Sequence, residues 1–254
     1  MDLSIQTFLI VCPLVFVAGF VDSIAGGGGL ISLPAYLLAG VPIHSALGTN
    51  KMSSMIGTGV STYRYCKSGF VNYTFAIPSI IAALLGSATG ANLALYVSDT
   101  ILKMVLLVVL PIVSIYVIKN KSFEKKWDRE LSKKQVVLIG TVSAFFIGCY
   151  DGFYGPGTGT FLLICFTAIL GMDVKEASGN VKLVNLSSNI AAFITFILSG
   201  KVVVILGATA SFFSILGHYI GSGMVMKNGA KIVRPIILIV MVLLYIKIIS
   251  QLIG

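Results

Sequence analysis

The chain has 254 residues, of which 57% are hydrophobic and only 11% are charged, and its mean hydropathy is +0.99. Soluble domains carry about 25% charged residues, so this composition excludes an ordinary soluble globule, and it also excludes a disordered chain. The apolar runs are continuous rather than alternating, which excludes a transmembrane β-barrel. The sequence therefore predicts an all-α, polytopic membrane protein.

The basic residues are unevenly distributed. The formal net charge is +9, and seven of the 18 Lys and Arg residues lie between positions 119 and 134, in the one clearly hydrophilic stretch of the chain. Basic loops stay on the cytoplasmic side of a membrane, so this stretch is predicted to be a cytoplasmic loop. The positive charge thus indicates membrane orientation, and nucleic acid is not expected as a partner.

The sequence contains an internal duplication. A shift of 131 residues aligns the two halves without a gap over about sixty positions, and upstream of them the shift becomes 129. The first shift pairs Gly40, Ala46, Gly48, Lys51, Gly86 and Gly90 with Gly171, Ala177, Gly179, Lys182, Gly217 and Gly221; the second pairs Asp22, Gly26 and Gly28 with Asp151, Gly155 and Gly157. We therefore divide one integral membrane domain into repeat one (5–118), the basic loop (119–134) and repeat two (135–252).

Each repeat has the same parts in the same order. An apolar segment, 5–21 or 136–150, ends at an aspartate and a glycine-rich break, residues 26–29 or 155–159. A short apolar segment follows, 30–39 or 160–170, which is shorter than the roughly 20 residues that cross a bilayer. Three longer apolar segments complete the unit; in repeat one they are 45–65, 71–96 and 101–118.

Two topologies are open, and the charge distribution discriminates between them. If the chain crosses straight through each glycine break, the repeats are parallel and 11 of the 18 basic residues lie inside. If the chain turns back at each break, the repeats are inverted, 14 of the 18 lie inside and both termini lie outside. The positive-inside rule favours the inverted arrangement, with a glycine-broken re-entrant or short helix pair and three transmembrane helices in each repeat.

The two glycine breaks are the strongest candidates for a substrate site. Inverted repeats with interrupted helices are typical of secondary transporters, because a broken helix supplies backbone N–H groups and a positive dipole end at bilayer depth. Ser32 is the candidate cap of the first short helix, and Thr158 or Thr160 that of the second. The alternative is that the glycines only allow close packing, which is the preferred interpretation for Gly-x3-Gly at 86–90 and 217–221. The predicted lining is Gly26, Gly27, Gly28, Gly29, Gly155, Gly157, Thr158 and Gly159.

The segments that follow the short helices are unusually polar for a membrane. Asn50 and Lys51 in repeat one, and Lys182, Asn185 and Asn189 in repeat two, are added to the predicted substrate site because such residues usually face a cavity or a partner. Asn185 and Asn189 are four residues apart and share a helix face. A position at a helix end, in the membrane interface, is the alternative for the two lysines.

Two aspartates recur beside the breaks. Asp22 and Asp151 are candidates for proton coupling, with helix capping or interfacial solvation as the alternative. His44 and His218 are not repeated and are expected to be packed or interfacial histidines. No metal-ligating cluster and no catalytic constellation is present in the sequence, so neither a metal, a cofactor nor an enzyme activity is predicted.

Three runs of sequence resemble those of a known family. Residues 21–34 (VDSIAGGGGLISLP), 46–51 (ALGTNK) and 182–189 (KLVNLSSN) are similar to the motifs of the sulfite exporter TauE/SafE family, and the likeness covers nearly the whole chain. The second break departs from the family pattern at Pro156 and Thr158, where glycine is more common. The resemblance implies a permease of the bacterial plasma (inner) membrane that moves small anions, often sulfur-containing, such as sulfite, thiosulfate or organosulfonates.

These observations combine into one functional prediction. We expect a secondary transporter whose partners are a small anion and the lipid bilayer, with proton coupling as a further hypothesis. A passive anion channel is the alternative, and an intramembrane enzyme is less favoured. The oligomeric state is left open, with a homodimer as one arrangement.

Overall fold

The computed structural model describes residues 4–98, 100–101 and 131–228, and all regular structure in that part of the chain is helical. The helices of repeat one are α1 (Ile5–Ala25), α2 (Gly29–Leu38), α3 (Ile43–Lys67) and α4 (Tyr73–Tyr96). Those of repeat two are α5 (Lys133–Phe153), α6 (Thr158–Ile164) with a π-helical turn (Cys165–Ile169), α7 (Val174–Leu198) and α8 (Val204–Asn228). The predicted segment 101–118, most of the basic loop and the end of repeat two lie outside the described residues.

Five of these helices, α1, α4, α5, α7 and α8, are long and apolar enough to cross a membrane. The predicted all-helical membrane fold is therefore confirmed. The two short apolar helices are also present, at Gly29–Leu38 and Thr158–Ile169. The helix α3 has the length of a span but is more polar, and it buries a polar face that includes Thr49, Asn50 and Lys51.

The helix ends show why the chain folds in these units. Ser4, Asn72 and Ser132 cap α1, α4 and α5, each accepting a hydrogen bond from a backbone N–H three residues later. Gly40 and its counterpart Gly171 both adopt a left-handed conformation, with φ of 80° and 69°, directly after the short helices. A left-handed residue reverses the chain at low cost only where the side chain is absent, so the repeated glycines mark repeated turns.

The Gly-x3-Gly pairs bring helices from different repeats into close contact, as predicted. A Cβ atom at Gly86 or Gly90 of α4 would lie 2.1 or 1.9 Å from a backbone oxygen of α5. A Cβ atom at Gly217 of α8 would lie 2.2 Å from the Phe16 oxygen of α1. The two contacts correspond to each other, because α4 of repeat one packs on the first helix of repeat two, and α8 packs on the first helix of repeat one.

The contacts along these interfaces give the directions of the helices. Phe16 and Phe20 of α1 face Gly217 of α8, whereas Phe20 and Ile24 face Gly221, so α1 and α8 run in the same direction. The order of the contacts along each helix pair likewise shows that α3 is parallel to α8, that α4 is parallel to α5 and α7, and that α3 is antiparallel to α7. The contacts used are Thr49–Val203, Arg64–Ser222, Gly86–Phe145, Gly90–Cys149, Phe70–Gly179, Ser87–Ser188, Gly48–Lys201 and Thr62–Lys182.

Helices α1, α3 and α8 therefore run one way, and α4, α5 and α7 run the other way. The equivalent helices of the two repeats (α1 and α5, α3 and α7, α4 and α8) are thus antiparallel to each other. Because α1 and α3 are parallel, the chain between them must return, and α2 lies on this return path.

The close α4–α5 contact gives a stability prediction. Replacing Gly90 with Leu should force the two helices apart and lower the stability by at least about 1–3 kcal/mol, the usual effect of overpacking. The control is Gly59→Ala in α3, where a Cβ would meet no atom of the described residues within 4 Å. Thermal unfolding of both purified variants in detergent measures the difference. A Gly90→Leu protein that melts with the parent would contradict the assigned contact.

Candidate functional site

The two glycine breaks meet at the centre of the described structure. The Thr160 N–H donates to the Gly26 carbonyl oxygen at 3.2 Å, which joins the start of α6 to the end of α1. A Cβ atom at Gly26 would lie 2.2 Å from the Gly159 carbonyl carbon, and one at Gly159 would lie 2.5 Å from the Gly26 Cα. Glycine is therefore required at both positions for the two backbones to touch.

Lys51 of repeat one reaches across to Asp151 of repeat two. The Lys51 Nζ lies 2.8 Å from the Asp151 Oδ2, and both side chains are only 3% exposed. The contact is an ion pair without hydrogen-bond geometry, since Asp151 Oδ2 has no hydrogen-bond partner in the described residues. Two opposite charges at this depth stabilise each other, whereas either one alone would be strongly unfavourable.

Lys182 makes the corresponding contact in the opposite direction. Its Nζ lies 2.8 Å from the Asp22 Oδ2 of repeat one and also donates to the Asp22 backbone oxygen. Lys182 is the counterpart of Lys51, and Asp22 is the counterpart of Asp151, so each repeat supplies one lysine and one aspartate. We call these the two cross-repeat ion pairs.

The lysine positions correct two sequence-based interpretations. Lys51 and Lys182 are 2% exposed and lie within α3 and α7, not at interfacial helix ends. Neither can be counted as a loop charge in the topology argument. The positive-inside balance for the inverted arrangement then becomes 13 basic residues inside and three outside, which leaves its direction unchanged.

The two ion pairs differ in their further partners. Asp22 also accepts a hydrogen bond from the Gly28 N–H at 3.3 Å through Oδ1, and its Oδ2 lies 3.2 Å from the His218 Nε2. Asp151 lies in a less complete environment, because its Oδ2 and the neighbouring Asn50 Oδ1 are buried without a hydrogen-bond partner in the part of the chain that the structure describes. Buried oxygens of this kind are costly, and a donor group that enters the site would satisfy them.

A small cavity collects most of the predicted site residues. It measures about 20 Å³ and is lined by Asp22, Gly26, Gly29, Asn50, Lys51, Ser54, Asp151, Gly155, Thr158, Gly159, Asn185 and Asn189. This volume holds about one water molecule and excludes a polyatomic anion. A neighbouring cavity of about 10 Å³ lies between Asp22, Gly28 and His218. Among the described residues, the site therefore has no room for a polyatomic anion.

The predicted residues that do not line this cavity are neighbours of residues that do. Lys182 joins it through Asp22, and Gly28 lines the neighbouring cavity. Asn185 and Asn189 share a face as predicted, with the Asn189 Nδ2 donating to the Asn185 carbonyl oxygen at 2.8 Å. Gly27 precedes α2 and Gly157 caps α6, but neither lines either cavity.

The predicted caps of the short helices are wrong. The Ser32 hydroxyl donates to the Gly28 oxygen, and the Thr158 hydroxyl donates to the Gly155 oxygen. The N-cap residue of each helix is a glycine, Gly28 for α2 and Gly157 for α6, and neither helix has a side-chain cap. The physical reason is that each hydroxyl lies inside its helix, where a backbone carbonyl of the preceding turn is the nearest acceptor.

One side chain beside the ion pairs was not among the residues predicted for the site. His218 was expected only to be packed or interfacial; it is packed, at 2% exposure, and it also contacts Asp22. Because its repeat-one counterpart is Ser87, the duplication gave no signal for it. The available signal was its spacing, since His218 lies within the Gly217–Gly221 contact with α1 and therefore near Asp22.

A larger cavity lies elsewhere among the described residues and does not contain the site. It measures about 420 Å³ and is lined by Arg64, Tyr219, Ile220, Gly223, Met224, Met226 and Lys227. Neither cross-repeat ion pair borders it. The Arg64 guanidinium is already engaged there, 3.1 Å from the Ser222 hydroxyl and 4.3 Å from the centre of the Tyr219 ring.

Comparisons with known proteins give a consistent result. The family model described as "Sulfite exporter TauE/SafE" matches residues 11–248. "Probable membrane transporter protein ORF9" of Sinorhizobium sp is 34% identical over 98% of this chain and 95% of its own length. A "Probable membrane transporter protein" of Haemophilus influenzae is 35% identical, covering 94% and 93%, and YfcA of Escherichia coli is 34% identical, covering 88% and 82%. No solved structure gives a significant match.

The ion pairs give a prediction about stability that is separate from transport. Asp151→Asn leaves the Lys51 ammonium buried without a counter-charge and should destabilise the protein by about 3–5 kcal/mol. The double variant Lys51→Met/Asp151→Leu removes both charges and should recover most of that loss. Lys201→Met, at an exposed lysine, is the control. Thermal unfolding in detergent tests the cycle, and a single variant as harmless as the control would show that no buried ion pair exists.

Proposed function

The chain belongs to the sulfite exporter TauE/SafE family and is a multi-pass membrane transporter, and on that premise we propose that it is a secondary transporter of a small anion. The observation that carries this proposal is the pair of cross-repeat ion pairs beside the two touching glycine breaks. Two buried lysines, two buried asparagine amides and two helix N-termini converge there. These are the groups that bind oxyanions in proteins.

The anion replaces a carboxylate rather than entering an empty site. Lys51 is held by Asp151, so an incoming oxyanion competes with that carboxylate for the ammonium. The amides of Asn50 and Asn185 line the same cavity and can donate further hydrogen bonds. We propose the same competition at Lys182 and Asp22, with a different outcome because Asp22 has additional partners.

Proton coupling is part of the proposal because of charge balance. An aspartate displaced from its lysine is left ionised and unpaired inside the membrane, which is strongly unfavourable. Taking up a proton removes that charge. Asp22 and Asp151 are therefore the candidate proton acceptors, and anion binding and proton binding support each other.

Sulfur oxyanions are the proposed substrates. Sulfite, thiosulfate and organosulfonates present several acceptor oxygens around one sulfur, which suits a site with donors on more than one side. The match to a family of sulfite exporters supports sulfite among them. We place the protein in the bacterial inner membrane, with the basic loop on the cytoplasmic side.

The closed site favours a transporter over a channel. The cavities next to the ion pairs hold about one water molecule each at most, so the described structure has no continuous path for an anion at this point. Because each ion pair connects one repeat with the other, movement between the repeats would strain or break the pairs. Access of an anion to the site is thereby coupled to whether the ion pairs are formed.

Transport by purified protein tests the proposal. Proteoliposomes should accumulate radiolabelled sulfite, thiosulfate or a simple organosulfonate with saturable kinetics. Lys51→Gln/Asp151→Asn leaves the net charge of the site unchanged and its volume similar, and it should lower the initial rate at least tenfold because the Lys51 ammonium is lost. Lys201→Gln is the matched control at an exposed lysine. Unsaturable flux would support the channel, and unchanged transport by the double variant would exclude the proposed site.

The inverted arrangement of the repeats is a proposal with its own test. The antiparallel directions of equivalent helices support it, as does the distribution of basic residues. It places both termini outside the cytoplasm. A reporter that is active only in the cytoplasm should be silent at each terminus and active when inserted between residues 119 and 134. A cytoplasmic signal from either terminus would contradict it.

A further inference from the structure

His218 occupies a pocket that is shaped for its ring. The side chain is 2% exposed and lies between α1, α3 and α8. A Cβ atom at Gly19 of α1 would lie 2.8 Å from the His218 Nδ1, and one at Gly57 of α3 would lie 2.5 Å from the same atom. Both glycines lie inside helices, where glycine is unfavourable, so the space that they leave is used by the imidazole.

The contacts of the Nδ1 atom assign one of the two ring protons. The His218 Nδ1 lies 2.9 Å from the Ser214 backbone oxygen, which only accepts, and 3.3 Å from the Ser214 hydroxyl, which can donate or accept. The closer carbonyl contact assigns a hydrogen to Nδ1. A neutral imidazole has a single N–H group, so in that state the Nε2 atom is a bare acceptor.

The other ring nitrogen faces a carboxylate. The His218 Nε2 lies 3.2 Å from the Asp22 Oδ2, which is also 2.8 Å from the Lys182 Nζ. A bare nitrogen and an ionised carboxylate oxygen are both acceptors and repel each other. A proton between the two atoms turns the same contact into a charge-assisted hydrogen bond.

We propose that Asp22 and His218 together form the proton-binding site of the transporter, with one proton held between Asp22 Oδ2 and His218 Nε2. This rests on the proposed function and assigns its coupling proton to one place. Histidine is well suited to the role because its protonation changes readily between about pH 5 and 8. Asp22, bound by Lys182 and the Gly28 N–H, provides the fixed negative partner.

The same pocket also accommodates the deprotonated ring. The Thr58 hydroxyl of α3 lies 3.4 Å from the His218 Nε2 and can donate to it once the proton has left. Both states of the histidine therefore have a partner without any movement of the helices. This is what a group that takes up and releases a proton in each cycle requires.

The proton sets the charge of the whole site. Lys51 and Asp151 cancel, and Lys182 and Asp22 cancel, so these four groups together with a neutral His218 carry no net charge. With the proton, the five groups carry +1, which a monovalent anion neutralises. Proton and anion would therefore bind together and cross in the same direction.

Charged and titratable groups on the helices around His218 have partners of their own. Asp22 faces the ring from α1, and Lys182 reaches Asp22 from α7. On α3, Lys51 is paired with Asp151, Arg64 contacts Ser222, and the Tyr65 hydroxyl donates to the Ser23 oxygen. His44, the other histidine, lies against the Ala94 oxygen at 3.0 Å, and Ser87, the counterpart of His218, donates to the Ser188 oxygen. Within the described residues, repeat one thus has no equivalent of this site.

Nitrogen NMR of the imidazole rings tests the assignment without any transport assay. The protein has two histidines, so ¹⁵N-histidine labelling of the parent and of His44→Gln assigns the His218 signals. At pH 6 the parent should show both His218 nitrogens protonated. In Asp22→Asn the unpaired Lys182 charge should leave the ring neutral, with a single N–H. A neutral ring in the parent at pH 6, or an unchanged imidazolium in Asp22→Asn, would overturn the proposal.

Transport of the His218→Gln variant separates this inference from the proposed function. Exchange of labelled for unlabelled anion, without a proton gradient, should speed up as the pH falls in the parent, and it should be slower and independent of pH in the variant. Accumulation driven by a proton gradient should fall at least tenfold and lose its pH dependence. Proton-driven accumulation that is intact in His218→Gln would overturn the proton site. Absence of anion exchange in the parent would instead reject the proposed function.

Discussion

The structure depends on four charges that cannot be buried singly. Lys51, Asp151, Lys182 and Asp22 lie in the interior of a membrane protein, where an unpaired charge would shift the balance towards unfolding or proton transfer. Within the part of the chain that the structure describes, the counter-charge of each lysine lies in the opposite repeat. The two repeats must therefore be assembled against each other, and the touching glycine breaks and the close α1–α8 and α4–α5 contacts bring the charges within 2.8 Å.

The same constraint connects structure with transport. A site whose charges are already balanced gives an anion little reason to bind, and the cavity beside the ion pairs is too small to admit one. Binding requires both an opening of the breaks and an additional positive charge. The proposed proton between Asp22 of repeat one and His218 of repeat two provides that charge at one ion pair, whereas at the other pair the Asp151 and Asn50 side chains each have an oxygen without a hydrogen-bond partner among the described residues. The duplication thus gives the two repeats the same framework, and the residues that differ between the repeats give the two ion pairs different surroundings.

Much of this arrangement could be predicted from the sequence, because it follows from local pattern. The apolar runs predicted the helices, the short segments predicted α2 and α6, and the recurrence of Asp22 and Lys51 as Asp151 and Lys182 drew attention to the four residues that form the ion pairs. The pairing itself could not be predicted, because a repeat alignment shows equivalence and not contact. The alignment of the two repeats did not point to His218, because repeat one has no histidine at the equivalent position. The capping hydroxyls were misassigned for a related reason, since their acceptors are determined by three-dimensional geometry.

We propose that an oxyanion binds between the two glycine breaks, beside the cross-repeat ion pairs. Anomalous diffraction from crystals saturated with selenite, a heavier analogue of sulfite, would locate that oxyanion. We expect an anomalous peak within hydrogen-bond distance of the Lys51 or Lys182 Nζ, and its loss in Lys51→Gln/Asp151→Asn or in the corresponding Lys182→Gln/Asp22→Asn protein. A peak only elsewhere, such as beside Arg64 in the large cavity, or no ordered selenite at all, would contradict the account.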